Sequence, residues 1–118
     1  HGVGFEGVDI EAAKAHGVHV VNAPLANATS VAELIVARIL EMSRDLYRAN
    51  AGMRRGAFTR IAPPEMQGTE VTGKTLGLIG MGNIPQMVAH MMTAAFGVKV
   101  IGYDPFVSAE EAARRGIE

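Results

Sequence analysis

The sequence predicts an α/β fold with a parallel sheet, because strand-like and helix-like segments alternate along the chain. Residues 18–21, 75–79 and 98–103 are short apolar runs rich in β-branched side chains, as expected of buried strands. The stretch from 83 to 96 has helix character and is followed by Gly97, a residue that often ends a helix. Two strands joined through a helix run parallel, with a right-handed crossover.

The first predicted helix covers residues 10–16, because Asp9 can cap its start and Gly17 stands at its end. Ser30 and Glu33 form a capping-box sequence, which predicts one long helix from Ser30 to about residue 55. Apolar side chains recur along it every three or four residues, so this helix needs a large partner surface.

Residues 57–72 show no periodicity and are interpreted as a surface loop or arm, which a turn at Gly73 closes. Ser108 and Glu111 form a second capping box, which opens a helix that Gly116 closes, and a further strand is expected from residue 117. The pair Arg114-Arg115 falls at the end of this helix, where positive charge complements the helix dipole.

Composition excludes several classes of function. The chain has 118 residues, a net charge of −1 and no cysteine. A balanced charge gives no reason to expect nucleic acid or an anionic membrane surface as a partner. Without cysteine there is no disulfide and no thiolate metal site, which suits a reducing compartment such as the cytoplasm. No apolar run is long enough to span a membrane, so no membrane association is expected.

The strongest chemical signal is the glycine turn that follows the strand 75–79. Gly80 permits a tight turn, and Gly82 lets the backbone approach a pyrophosphate because it has no Cβ. The main-chain N–H groups of Asn83 and Ile84 then lie at a helix N-terminus, where unpaired donors and the helix dipole favour an anion. This strand–turn–helix order is typical of a Rossmann-type dinucleotide site.

Asp104 follows Gly82 by 22 positions and ends the next predicted strand. A carboxylate there can accept hydrogen bonds from both hydroxyls of the adenosine ribose, and its charge would repel a 2′-phosphate. The pattern therefore predicts NAD, in preference to NADP, as the cofactor. One residue departs from the pattern: Pro85 stands where a third glycine is usual, which predicts altered helix packing and weaker binding of the pyrophosphate.

The histidines indicate no further chemistry. His16 and His19 are separated by a predicted helix end and strand start, and His90 lies mid-helix with no carboxylate partner in sequence. We expect neither a metal site nor a catalytic histidine among them.

Taken together, these residues resemble the D-isomer-specific 2-hydroxyacid dehydrogenases, and the resemblance covers essentially the whole chain in order. The matching stretches are Gly2-Val3-Gly4-Phe5-Glu6-Gly7-Val8-Asp9, Val20-Val21-Asn22-Ala23-Pro24 with Asn27, Ser30-Val31-Ala32-Glu33, Gly73-Lys74-Thr75-Leu76-Gly77-Leu78-Ile79-Gly80-Met81-Gly82, Phe96-Gly97 and Gly102-Tyr103-Asp104-Pro105.

The resemblance implies a two-domain enzyme that holds NAD and substrate in the cleft between its domains. Residues 1–29 would be the end of a flavodoxin-like substrate domain, and residues 30–118 the first part of the NAD-binding domain. The long helix and the arm after it would help to build a homodimer. The activity implied is hydride transfer between NAD and a D-2-hydroxy acid, most closely that of the branch acting on 3-phosphoglycerate in serine biosynthesis.

The resemblance also assigns roles to residues. The main chain of Val3 and Gly4 would hold the substrate carboxylate, with Val3 also near the nicotinamide. Asn83 and Ile84 would contact the pyrophosphate and Asp104 the ribose. Family members often carry arginine where Asn83 stands, so a positive phosphate contact is lost here. The family's catalytic Arg, Glu or Asp, and His come after residue 118 in its order, so no catalytic residue is named in this chain, which alone is expected to be inactive.

Two alternatives stay open at this point. The same fold could serve a non-catalytic NAD-sensing scaffold, like the carboxy-terminal binding protein corepressors, and the substitutions at Pro85 and Asn83 leave room for it. The chain could also fold only through dimerisation and bind nothing. An Arg…Glu…His series after residue 118 would favour the enzyme, and titration with NAD tests the second alternative.

Overall fold

The structure is a computed structural model, and it describes residues 2–57 and 67–118 of the chain. Five helices and two strands are found in these residues. In chain order they are α1 (Ile10–Ala15), α2 (Ala28–Ser43), α3 (Leu46–Arg54), β1 (Thr75–Ile79), α4 (Asn83–Phe96), β2 (Lys99–Tyr103) and α5 (Ala109–Arg114).

The sheet confirms the predicted parallel arrangement. Strand β1 pairs with β2 in parallel, from Thr75 opposite Lys99 to Ile79 opposite Tyr103, and α4 connects the two. The chain end continues the ladder beyond β2, because the Glu118 N–H donates to the Val100 carbonyl at 3.0 Å. The Gly102 N–H donates in turn to the Glu118 carbonyl at 2.7 Å. These two bonds place residue 118 alongside β2, where the sequence predicts a further strand, although the sheet of the described residues has two strands.

The core lies between the sheet and the helices α2 and α4, which pack against each other. Leu76 and Leu78 of β1 face this core, whereas Ile79 on the opposite face is 95% exposed. The prediction of a buried β1 is therefore wrong for one face, because the helices in the described part of the chain cover only the other. The buried apolar residues of the core are Ala32, Met81, Val88, Ala89, Met92, Val98, Val100, Ala112 and Ile117.

The predicted strand at residues 18–21 is not formed, and this prediction was wrong. The segment is irregular and exposed, and Val21 is 89% accessible. A strand requires a neighbour that shares its hydrogen bonds, and none of the described residues offers a ladder here. Near this segment, the Ala23 N–H donates a single hydrogen bond to the Gly2 carbonyl at 2.8 Å, which does not make a ladder.

The predicted long helix is two helices. Asp45 takes the left-handed conformation, with a φ of 49°, and separates α2 from α3. At the break the Ser43 carbonyl accepts the Thr69 N–H at 2.6 Å, and Gly68 packs so closely that a Cβ there would lie 2.6 Å from the Arg44 Cα. The returning chain thus uses the Ser43 carbonyl, which a continuous helix would bond to residue 47, and periodicity does not reveal this long-range contact.

The start of α2 also differs from the prediction. The helix begins at Ala28 with Asn27 in the cap position and without a side-chain cap, so Ser30 lies inside the first turn. The first capping box was therefore wrong. The other two caps are confirmed: Asp9 Oδ1 accepts the Ala12 N–H at 2.8 Å, and Ser108 Oγ accepts the Glu111 N–H at 3.2 Å.

The remaining connections are consistent with the sequence. Gly73 has a φ of 67° in the predicted turn before β1, and Gly56, with a φ of 74°, follows α3 close to residue 55, where the sequence predicts the long helix to end. Of the arm predicted at 57–72, residues 58–66 lie outside those described, and 67–72 are irregular. No helix among the described residues has the length and apolar character that a membrane span requires.

Candidate dinucleotide site

The candidate site lies at the carboxyl ends of β1 and β2. Gly80 leaves β1 with a φ of 92°, a conformation that a side chain would strain. Its N–H donates to the Tyr103 carbonyl at 2.7 Å, so the turn starts from the last pair of the ladder. Parallel strands end at the same edge of a sheet, and the two motifs that are 22 positions apart in sequence are neighbours for that reason.

Met81, the middle residue of the glycine turn, is hydrogen-bonded through both its main-chain N–H and its carbonyl. Its N–H donates to Asp104 Oδ2 at 2.8 Å. Its carbonyl accepts Gln86 Nε2 at 2.9 Å and Arg115 Nη1 at 3.1 Å. These contacts could not be predicted from the motif, because Met81 is its variable position and the partners lie in α4 and just after β2 and α5.

The Met81 side chain is fixed as well. It is only 3% exposed and lies over Gly102 of β2, where an added Cβ would come 2.7 Å from Met81 Sδ. The same Cβ would come 2.8 Å from the Cγ2 atom of Ile117. Gly102 is thus needed for close packing beneath the turn, a role that its place in the family motif does not explain by itself.

Asp104 caps two main-chain donors. In addition to Met81, it binds the Phe106 N–H through Oδ1 at 2.9 Å. These two bonds lower the pKa of Asp104 below its ordinary value of 3.8; partial desolvation opposes them, and the nearby Arg115 adds to them. The group is therefore a carboxylate at neutral pH. A carboxylate has about four lone-pair positions, so two remain for further donors such as ribose hydroxyls.

The N-terminus of α4 presents unpaired donors. Gly82 is the N-cap and provides no side-chain cap. Within the described residues, no acceptor receives the main-chain N–H of Asn83 or Ile84, and the first internal bond runs from the Gln86 N–H to the Gly82 carbonyl at 3.2 Å. A Cβ added at Gly82 would meet nothing within 4 Å. Free donors beside open space fit a pyrophosphate group.

Pro85 is accommodated in the first turn of α4, which runs without interruption from Asn83 to Phe96. Proline is tolerated there because the N–H it lacks would have no partner inside the helix. The helix itself is therefore intact at this position. The expected weakening of pyrophosphate binding stays a prediction.

Val3 and Gly4 are held to another part of the chain. The Val3 carbonyl accepts Asn22 Nδ2 at 3.0 Å, and no hydrogen bond in the described residues joins this loop to the glycine turn. Within the first 29 residues, Leu25 and Thr29 lie near the start of α4. A cavity of about 430 Å³ lies between the start of α2 and the start of α4, and it is lined by Leu25, Thr29, Asn83, Gln86, Met87, His90 and Met91.

The histidines are not brought together. His16 is hydrogen-bonded through Nδ1 to the Ala12 carbonyl at 2.8 Å, and His90 is exposed on α4. Among residues 2–57 and 67–118 no group of three His, Cys, Asp or Glu side chains could hold a metal ion.

Comparison with known proteins agrees with this geometry. A sequence model described as "D-isomer specific 2-hydroxyacid dehydrogenase, NAD binding domain" matches residues 36–118. D-3-phosphoglycerate dehydrogenase of Mycobacterium tuberculosis (strain ATCC 25618 / H37Rv) is 47% identical over 117 residues, which are 99% of this chain and 21% of that protein. The Rattus norvegicus protein of the same name is 43% identical over the same share of each chain.

Solved structures give the same result. D-lactate dehydrogenase from Aquifex aeolicus, in complex with NAD and lactic acid, superposes with a TM-score of 0.77 at 34% identity, over 99% of this chain and 34% of that one. The apo structure of D-lactate dehydrogenase from Escherichia coli gives a TM-score of 0.80 at 32% identity, over 99% and 35%. The chain thus spans about a fifth of its curated relatives and a third of these structures. With its Rossmann-type sheet and its match over residues 36–118, the chain belongs to the D-isomer-specific 2-hydroxyacid dehydrogenase family, whose domain of this type binds NAD.

Proposed function

We propose that this chain forms the dinucleotide half of the active site of an NAD-dependent D-2-hydroxyacid dehydrogenase. One observation carries the proposal: the Asp104 carboxylate is hydrogen-bonded to Met81 in the glycine turn, two residues before the unpaired N–H groups that begin α4. An acid for the ribose and donors for the pyrophosphate are the two features that dinucleotide recognition requires, and they lie together here.

Each residue has a distinct part in this site. The N–H groups of Asn83 and Ile84 donate to the pyrophosphate, which Gly80 and Gly82 allow to come close. Asp104 accepts from the ribose through its remaining lone pairs and disfavours a 2′-phosphate by its charge. NAD, when bound, supplies the nicotinamide carbon that accepts or gives the hydride.

The substrate belongs to the proposal as well. The names of the curated relatives favour 3-phosphoglycerate among 2-hydroxy and 2-oxo acids. The main chain of Val3 and Gly4, in the segment 1–29 that we assign to the substrate domain, would bind the substrate carboxylate. Residues 30–118 would then be the first part of the NAD-binding domain. Because this chain lacks an assigned catalytic group, we expect the 118 residues alone to show no turnover.

A homodimer is proposed through the helices α2 and α3. Leu34, Met42 and Tyr47 on these helices are 57%, 80% and 75% exposed. Apolar side chains exposed along one pair of helices are typical of a surface that a partner covers. Light scattering after size exclusion tests the dimer, and cell fractionation tests the cytoplasmic location that we expect.

Titration calorimetry with NADH and NADPH tests the cofactor site. We expect wild type to bind NADH more tightly than NADPH, and Asp104→Asn to bind NADH about tenfold more weakly, because a neutral amide is a weaker acceptor than a carboxylate. The preference for NADH should shrink in the same variant. Glu11→Gln, an exposed neutralisation on α1, controls for the loss of one negative charge and should leave both affinities unchanged. Absence of NADH binding by wild type would refute the proposal.

A further inference from the structure

The carbonyl of Met81 accepts hydrogen bonds from two side chains that lie at different helices. Gln86 Nε2 reaches it from α4 at 2.9 Å, and Arg115 Nη1 reaches it from the end of α5 at 3.1 Å. A carbonyl oxygen with two lone pairs is saturated by this pair. The peptide that leads into Gly82 is thus held by α5, an element that lies outside the dinucleotide motif.

The guanidinium of Arg115 is itself held in place. Its Nε donates to Glu111 Oε1 at 2.8 Å, and its side chain is 29% exposed. The neighbouring Arg114 also pairs with Glu111, yet it is 72% exposed and makes no hydrogen bond to the turn among those described. Arg115 is therefore oriented toward Met81 by an ion pair, whereas Arg114 remains at the surface.

Arg115 also adds positive charge beside Asp104. The carboxylate pKa is lowered first by the bonds from Met81 and Phe106, and in smaller part by the charge of Arg115. A cation at this place offsets part of the negative field that a ribose or a 2′-phosphate would meet. The glycine turn and the acid are thereby connected to the same guanidinium.

We propose that Arg115 is a positioning residue of the dinucleotide site, which holds the Met81 carbonyl and tempers the charge of Asp104. The proposal rests on the cofactor site proposed above. It assigns to α5 a part in setting both the affinity for NAD and the degree to which NADP is rejected. The sequence suggested only that Arg115 complements a helix dipole, which would give no effect on selectivity.

The test measures dissociation constants of NADH and NADPH for the full chain by calorimetry, in wild type and four variants. In Arg115→Met, which keeps the length of the stem, NADH should bind about fivefold more weakly, since a hydrogen bond from a charged group is lost. The ratio of the NADPH to the NADH constant should rise about threefold or more, because Asp104 loses its counter-charge. Arg115→Lys keeps the charge and should keep the wild-type ratio while losing part of the affinity.

Arg114→Met is the matched control, because it removes the same charge from the same helix and the same Glu111 pair without touching the turn. Both constants should stay within about twofold of wild type, as for a solvent-screened surface charge. The proposal is overturned if Arg115→Met and Arg114→Met have the same dissociation constants. It is also overturned if the ratio of the NADPH to the NADH constant rises in Arg115→Lys as much as in Arg115→Met. If Arg115→Met does not fold, the effect on NADH affinity is tested with Arg115→Lys and with Gln86→Met, which removes the other donor to the Met81 carbonyl. Wild type that binds no NADH would refute the proposed function itself, whereas wild-type binding with unaffected variants refutes this inference alone.

Discussion

The close packing under the glycine turn gives a quantitative prediction at Gly102. A Cβ introduced by Gly102→Ala would lie 2.7 Å from Met81 Sδ and 2.8 Å from Ile117 Cγ2. Both distances are shorter than the 3.0 Å below which Cβ contacts are essentially never found. Both side chains are buried, at 3% and 2% exposure, so neither can move aside into solvent without losing its packing. We therefore expect the overpacking to cost about 1–3 kcal/mol in the free energy of unfolding.

Gly77 of β1 is the matched control. It lies in the neighbouring strand, yet a Cβ there would meet nothing within 4 Å. Replacing glycine by alanine where space permits stabilises by roughly 0.4–1 kcal/mol, because the unfolded chain loses conformational freedom. That gain applies to both substitutions and cancels in their difference. Gly102→Ala should thus be less stable than Gly77→Ala by about 1–3 kcal/mol.

Urea denaturation followed by far-UV circular dichroism measures this difference. The slope of the free energy against urea should be the same in both variants, so that the midpoints report stability alone. In addition, Gly102→Ala should weaken NADH binding because Met81 must move, while Gly77→Ala should not. Equal stability of the two variants would refute the reasoning, since it would mean that Met81 and Ile117 are free to rearrange.

Three further outcomes are expected. Met92→Ala should cost about 2–5 kcal/mol in urea denaturation, because the side chain is 1% exposed in the core, and a loss below 1 kcal/mol would contradict that packing. Ser108→Ala should cost about 0.5–2 kcal/mol through the loss of the α5 cap, whereas Ser30→Ala, inside a helix, should cost less; the reverse order would restore the first capping box. The folded-state pKa of Asp104 lies below 3.8, so its contribution to stability is fully present above that pH and is lost as the pH falls through the folded value. The stability difference between wild type and Asp104→Asn should therefore be constant near neutral pH and shrink in acid, and a difference that grows in acid would show the opposite sign of shift.

The local elements of the fold were determined by the sequence itself. Asp9 and Ser108 cap their helices, Gly97 ends α4, and Thr75–Ile79 forms β1 with the predicted bounds. The caps and the positive φ depend on interactions within a few residues, and β1 was marked by its short apolar run, although its pairing with β2 joins residues 24 positions apart. The glycine turn and Asp104 could also be placed together, because parallel strands end at one edge of their sheet.

Tertiary structure alone decided the remainder. The break at Asp45 lies where residues 68–69 return against the end of α2, and the segment 18–21 stays irregular because no described strand pairs with it. Such contacts join residues far apart in sequence, and no local pattern encodes them.

The same distinction applies to the dinucleotide site. The sequence identified Gly80, Gly82 and Asp104 by motif, since backbone freedom and charge are properties of single residue types. Only the tertiary structure showed that Met81 is hydrogen-bonded to Asp104 and to Arg115. Arg115 is 34 positions from Met81 in the sequence. A hydrogen bond to a main-chain carbonyl can come from any donor that the packing of α5 brings within reach, so its origin was decided by the fold.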